Sequence, residues 1–196
     1  MSEIQTEIKM ESAEKPLAMN ALKFAMWLFI VSIVMIFASL TSAYIVRRSE
    51  GNWLEFELPS LFYITTIVLL ISSGTMHYSL IQAKKDNLYS LKIGMIATTF
   101  LGLFFVIGQF FAWNQLVQNK VFFAGSNPSA SFVYVLSGLH AFHIVAGLIF
   151  LIIVFYMSLA DKIHSKSILW MEMCTTFWHF LDGLWLYLFF FLILNR

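Results

Sequence analysis

Residues 175–194 read TTFWHFLDGLWLYLFFFLIL, a stretch almost wholly apolar that nonetheless holds His179 and Asp182 at its middle. About twenty apolar residues of helix cross the roughly 30 Å hydrocarbon core of a bilayer. A charged Asp at a helix centre costs about 2.5–3.5 kcal/mol on insertion scales, so such residues face protein or water and have partners. The stretch therefore reads as a membrane span whose polar pair points inward.

The same test applied outward finds four more spans. Uncharged runs lie between Lys23 and Arg47, between Glu57 and Lys84, and between Lys92 and Lys120. The long uncharged run 121–160 is broken by GSNPSAS at 125–131, which is turn chemistry. The expected spans are about 24–46, 58–83, 93–115, 132–159 and 167–194. The fold class is all-α, one five-helix transmembrane domain over 21–196, preceded by a solvated tail at 1–20. Short connections predict that consecutive helices are antiparallel neighbours. No segment shows the ten-residue alternation of a membrane β-barrel, and no internal repeat is visible.

Composition agrees. The 196 residues are 60% hydrophobic and only 12% charged, with 21 Phe and a mean hydropathy of +0.79. A soluble domain carries about 25% charged residues. The lone Cys174 cannot form an intrachain disulfide. A formal net charge of +1 without a basic patch gives no nucleic-acid partner. No phosphate loop, zinc-type cysteine pattern or nucleophile elbow occurs. The first twenty residues lack a basic region followed by an apolar one, so they do not read as a signal peptide.

Five spans put the termini on opposite sides. The side of the tail and of the second and fourth loops has Lys9, Lys15, Lys23, Lys84, Lys85, Lys92, Lys162 and Lys166. The other has Arg47, Arg48, Lys120 and Arg196. Eight against four places the N-terminus in the cytoplasm and the C-terminus outside.

The last span carries Glu172, His179 and Asp182 at spacings of seven and three, hence on one helical face. Phe180, Leu184 and Phe191 are expected to face lipid. The fourth span carries SGLHAFHIVAG, with His140 and His143 three apart and Gly138 and Gly147 leaving room for close approach. Depth matches His143 to His179 and Asp182, and His77 to Glu172. Three functional readings are compatible with these residues. His140, His143, His179 and Asp182 supply four ligands for a metal, haem or copper. A proton or ion path is the second reading. The third, which the residues favour, is an intramembrane polar network of His77, His140, His143, Glu172, His179 and Asp182 that locks the helices. It has no catalytic, cofactor or metal role.

At GLHAFHIVAG and FWHFLDGLWLYLF the chain resembles subunit III of the haem–copper cytochrome c oxidases. The family's one-helix motif G-x-H-x-x-H-x-x-x-G is met by Gly138, His140, His143 and Gly147. Its last-helix spacing is met by Glu172, His179, Asp182 and Trp185. The runs at 26–44, around His77 and around Gln109 extend the likeness over nearly all the chain beyond residue 20. The longer members have seven helices, and this chain resembles the last five. Two carboxylate positions of the family are here Ile33 and Ala112. Their absence argues against proton conduction through the first and third spans.

The resemblance implies a structural subunit of a bacterial inner-membrane terminal oxidase that moves electrons from cytochrome c to oxygen and pumps protons. Haem and copper are then expected in partner subunits I and II, not in this chain. Further expected partners are membrane lipids, including bound phospholipid, and a larger respiratory supercomplex. The equivalent subunit of a quinol oxidase or nitric-oxide reductase is the alternative within the family. A free-standing membrane metalloenzyme and a small ion transporter are alternatives of other classes.

Overall fold

The structure is a computed structural model, describing residues 20–51, 53, 58–123, 127–160, 163 and 168–195. The tail at 1–19 lies outside the described residues. Five helices follow one another: α1 Ala21–Ser49, α2 Ser60–Lys84, α3 Leu88–Gln118, α4 Pro128–Leu159 and α5 Leu169–Leu194. All five are long and apolar enough to cross a membrane. Hydrocarbon offers no partner to a peptide group, and a helix bonds its own.

Asparagines, not the charges, set several starts. Asn20, Asn87 and Asn127 each accept a hydrogen bond from a first-turn backbone N–H, from Leu22, Ser90 and Ser129. Pro128, whose missing N–H is no loss in a first turn, follows the last of these caps. So α3 begins before Lys92 and α4 before residue 132, each earlier than expected from charge-free runs. At the far ends, Asp86 and Lys120 take left-handed backbone (φ 54° and 62°) and stop α2 and α3.

α2, α3, α4 and α5 form a ring in which each packs on the next and α5 closes on α2. α1 lies outside the ring, on α4 and α5. It does not pack on α2, contrary to the nearest-neighbour expectation. The chain length explains the difference. Residues 85–87 are all that separate α2 from α3. Residues 50–59 separate α1 from α2, and at about 3.3 Å per residue a segment of that length is long enough to span the width of a helix. Contact with three helices also buries Leu184, expected at the lipid face, and half-buries Phe180 and Phe191.

Small residues and hydroxyls seat the ring. A Cβ on Gly94 would meet Ser79, and one on Gly108 would meet Thr65, so α2 and α3 touch backbone to side chain. Thr75 and Thr98 hydrogen-bond across the same seam at 2.8 Å. Gly102 and Gly147 both lie against Trp178. Gly138 makes only ordinary contact with Trp113.

Candidate functional site: the polar layers of α5

α5 carries its ionisable groups at three depths. At its first turn the Glu172 carboxylate accepts from Lys23 Nζ of α1 at 2.7 Å and lies 3.9 Å from Lys84 Nζ of α2. A carboxylate there also faces the positive end of the helix dipole. The expected partner, His77, is not the one used. Lys84 ends α2, and His77 is seven residues deeper on α2. His179 is seven residues deeper on α5 than Glu172. Antiparallel packing thus pairs Lys84 with Glu172 and His77 with His179, whose rings are 5.9 Å apart.

The second layer is completed by Ser73, whose Oγ lies 2.6 Å from His179 Nδ1. The third is Asp182. Its side chain is buried beside Ser73, and neither carboxyl oxygen is hydrogen-bonded among the described residues.

The histidines of α4 do not join this series. His140 is fully buried and stacks on Trp185, ring centroids 5.1 Å apart. Phe37 and Phe105 close over its edges at 6.4 and 5.9 Å. Neither ring nitrogen has a partner among the described residues. His143 Nδ1 donates to the Leu139 carbonyl of its own helix at 2.7 Å, and its ring packs on Phe37. So no hydrogen bond joins His140 or His143 to His179 or Asp182. α1 inserts Phe37 against the α4 histidines, and helix rotation is decided by that packing.

Other interhelical hydrogen bonds run from indole or phenol groups to hydroxyls. Trp178 Nε1 donates to Ser72 Oγ at 3.1 Å and Trp185 Nε1 to Thr66 Oγ1 at 2.9 Å, both from α5 to α2. Trp113 Nε1 donates to Ser137 Oγ at 3.0 Å, from α3 to α4. Tyr187 donates to Thr41 of α1 at 3.1 Å. Sequence reasoning overlooked these residues. The available signal was two tryptophans seven apart on α5 facing Thr66 and Ser72 six apart on α2.

Chemically, the site can hold helices in register. Among the described residues no group of three or more His, Cys, Asp or Glu is arranged to hold a metal. Ile33 and Ala112 are buried apolar side chains.

A family model described as cytochrome c oxidase subunit III matches residues 52–195, taking in α2 to α5 with His77, Glu172, His179 and Asp182. The chain belongs to the cytochrome c oxidase subunit III family. It is 28% identical to the cytochrome bo(3) ubiquinol oxidase subunit 3 of Buchnera aphidicola subsp. Schizaphis graminum, over 88% of this chain and 93% of that one. The corresponding protein of Buchnera aphidicola subsp. Baizongia pistaciae is 31% identical over 86% and 88%. A probable cytochrome c oxidase subunit 3 of Nocardia farcinica is 29% identical over 83% and 82%. This subunit III is thus a multi-pass membrane component of a haem–copper oxidoreductase complex.

Proposed function

We propose that this subunit III carries no redox centre and acts by holding its helices, and through them a core oxidase subunit, in a fixed arrangement. The observation that carries this is the sealing of His140. Any ligand to that imidazole must displace the stacked Trp185 and the edges of Phe37 and Phe105. Haem and copper then belong to subunits I and II, which reduce oxygen to water and pump protons. Cytochrome c is the electron donor in this reading. The two Buchnera relatives, named as ubiquinol oxidase subunits, support a second reading with a quinol donor.

The lysine-rich end, with Lys23, Lys84, Lys85 and Lys92, supports a cytoplasmic N-terminus in a bacterial inner membrane. An impermeant thiol reagent tests this, since Cys174 is buried and silent. Lys120→Cys should label from outside and Lys85→Cys should not. Labelling of residue 85 from outside reverses the orientation.

The face for subunit I is the groove that α1 leaves uncovered between itself and α2. His77 is exposed there, five residues from the middle of α2, or about 7 Å. An ionisable side chain at that depth needs protein or water. Gly74 and Gly183 beside it have no heavy atom within 4 Å of where a Cβ would stand, which lets another helix approach closely. The double variant Gly74→Trp, Gly183→Trp should therefore fold and reach the membrane. It should recover less than about a tenth of the wild-type haem in tagged purification, tenfold being 1.4 kcal/mol. Turnover per haem in the residual complex should be unchanged. Wild-type haem recovery puts subunit I on another face. Stoichiometric metal on the separated chain overturns the redox-free reading.

A further inference from the structure

The groove between α1 and α2 opens at its Glu172 end into a cavity of about 340 Å3, walled by Lys23 and Trp27 of α1 and by Leu80 and Lys84 of α2. Two ammonium groups share one carboxylate there. Lys23 Nζ donates to Glu172 at 2.7 Å. Lys84 Nζ, 3.9 Å away, is beyond hydrogen-bond distance and its side chain keeps 56% of its surface. Two lysines against one glutamate leave this end of the groove positive. Seven residues deeper on α2 and on α5, the groove shows two imidazoles. His77 is exposed and has no hydrogen bond among the described residues. His179 is half-buried with Nδ1 committed to Ser73, which leaves its Nε2 for a neighbour. Asp182 lies at this depth too, but both its oxygens are covered.

An incoming helix therefore meets unspent donors at two levels and no acid that is both open and unpaired, since Glu172 is already met by Lys23. The interval between the levels is seven residues on each helix, about 10.5 Å. That is also the interval at which a helix packed along another returns the same face. A carboxyl group suits both levels. Its two oxygens offer about four acceptor sites, enough to take an N–H from each of two imidazoles whose rings are 5.9 Å apart. One level up, it would balance the Lys84 ammonium. A lysine or arginine in its place would add positive charge to an end that is already positive, and deeper down would find no open carboxylate.

We propose that the helix of subunit I seated in this groove carries one carboxyl side chain level with His77 and a second, seven residues nearer the lysine end, level with Lys84. This rests on the groove being the subunit I face and adds the chemistry of the partner there. Tagged purification of the complex, scored as haem recovered per chain, reads the sign of the partner's charge. His77 is exposed, so substitution leaves the packing of this chain intact, and the yield of the chain from membranes checks that. His77→Lys should recover haem at close to the wild-type ratio. His77→Glu should recover less than about a tenth, because like charges then face each other in hydrocarbon. Lys84→Glu, at the end of the bundle where insertion is not at stake, should fall severalfold below Lys84→Arg. A membrane-permeant carbodiimide should join the lysine introduced at position 77 to an Asp or Glu of subunit I, found as a cross-linked peptide by mass spectrometry. The reverse order, with His77→Glu above His77→Lys, puts a basic side chain in the groove and overturns the proposal. Equal recovery in those two, while Gly74→Trp, Gly183→Trp loses haem, keeps subunit I on this face and overturns the acidic pairing alone. Wild-type recovery in the tryptophan double variant removes the face and the pairing together.

Discussion

Replacing Gly94 and Gly108 together by valine should cut the folded subunit recovered from membranes to below about a tenth of wild type. A Cβ at Gly94 would stand 2.2 Å from Ser79 Oγ and 3.3 Å from both Ser79 Cβ and the Thr75 carbonyl oxygen. Turning the serine hydroxyl away removes the first clash and leaves the other two, which are close to or part of the backbone. At Gly108 the obstacle is Thr65 Cγ2 at 2.4 Å. Thr65 cannot rotate freely, because its hydroxyl donates to Phe62 and accepts from Gln109. Two valines therefore push α2 and α3 apart and take the Thr75–Thr98 bond with them. Overpacking costs about 1–3 kcal/mol per site, against a total stability of about 5–15 kcal/mol. Thermal unfolding in detergent, followed by tryptophan fluorescence, measures the loss. Gly74→Val is the control, with open space around it, and should stay within about 0.5 kcal/mol. If the double variant melts with wild type, the α2–α3 seam is looser than this packing requires.

Trp185→Ala and His140→Leu should part company although their rings are stacked. Trp185 is buried in the ring of helices. It packs on Phe62, Phe105 and His140 and gives its N–H to Thr66. Its truncation opens a cavity among those rings and should cost about 3–5 kcal/mol. His140 contributes ring contacts but no hydrogen bond among the described residues. Leucine keeps much of the volume and removes two unsatisfied polar atoms, whose burial costs about 1–3 kcal/mol each. His140→Leu should therefore fall within about 1 kcal/mol of wild type, or above it. The two melting curves decide the matter. A loss for His140→Leu as large as for Trp185→Ala would mean that the imidazole holds a hydrogen bond inside its aromatic box, and that the box is not dry.

Much of the site was legible before the fold. His179 and Asp182 stood out because a carboxylate in a twenty-residue apolar run is costly wherever the run sits. Glu172 stood out as a carboxylate inside the last span, and Lys84 as the charge bounding the second. The pairings were less legible. Matching His77 to Glu172 took depth from the nearest charge on each helix separately. The packed register puts Lys84 opposite Glu172, which carries His77 down to His179. The tryptophan–hydroxyl bonds escaped notice because Ser, Thr and Trp are unremarkable in an apolar helix. They become informative only when a neighbour faces them.

Span number, and span limits to within a few residues, follow from the sequence alone. Each depends on one helix against one bilayer, a sum of local transfer free energies that needs no knowledge of the other helices. Which helices touch, and how each is turned about its axis, belonged to the tertiary structure. α1 lies on α4 and α5, an arrangement that residues 50–59 are long enough to allow. His140 and His143 turn toward Phe37 because side chains from three helices must fill one volume. In hydrocarbon the choice among such arrangements rests on close packing and a few hydrogen bonds of well under 2 kcal/mol each, and these are terms between segments far apart in the chain.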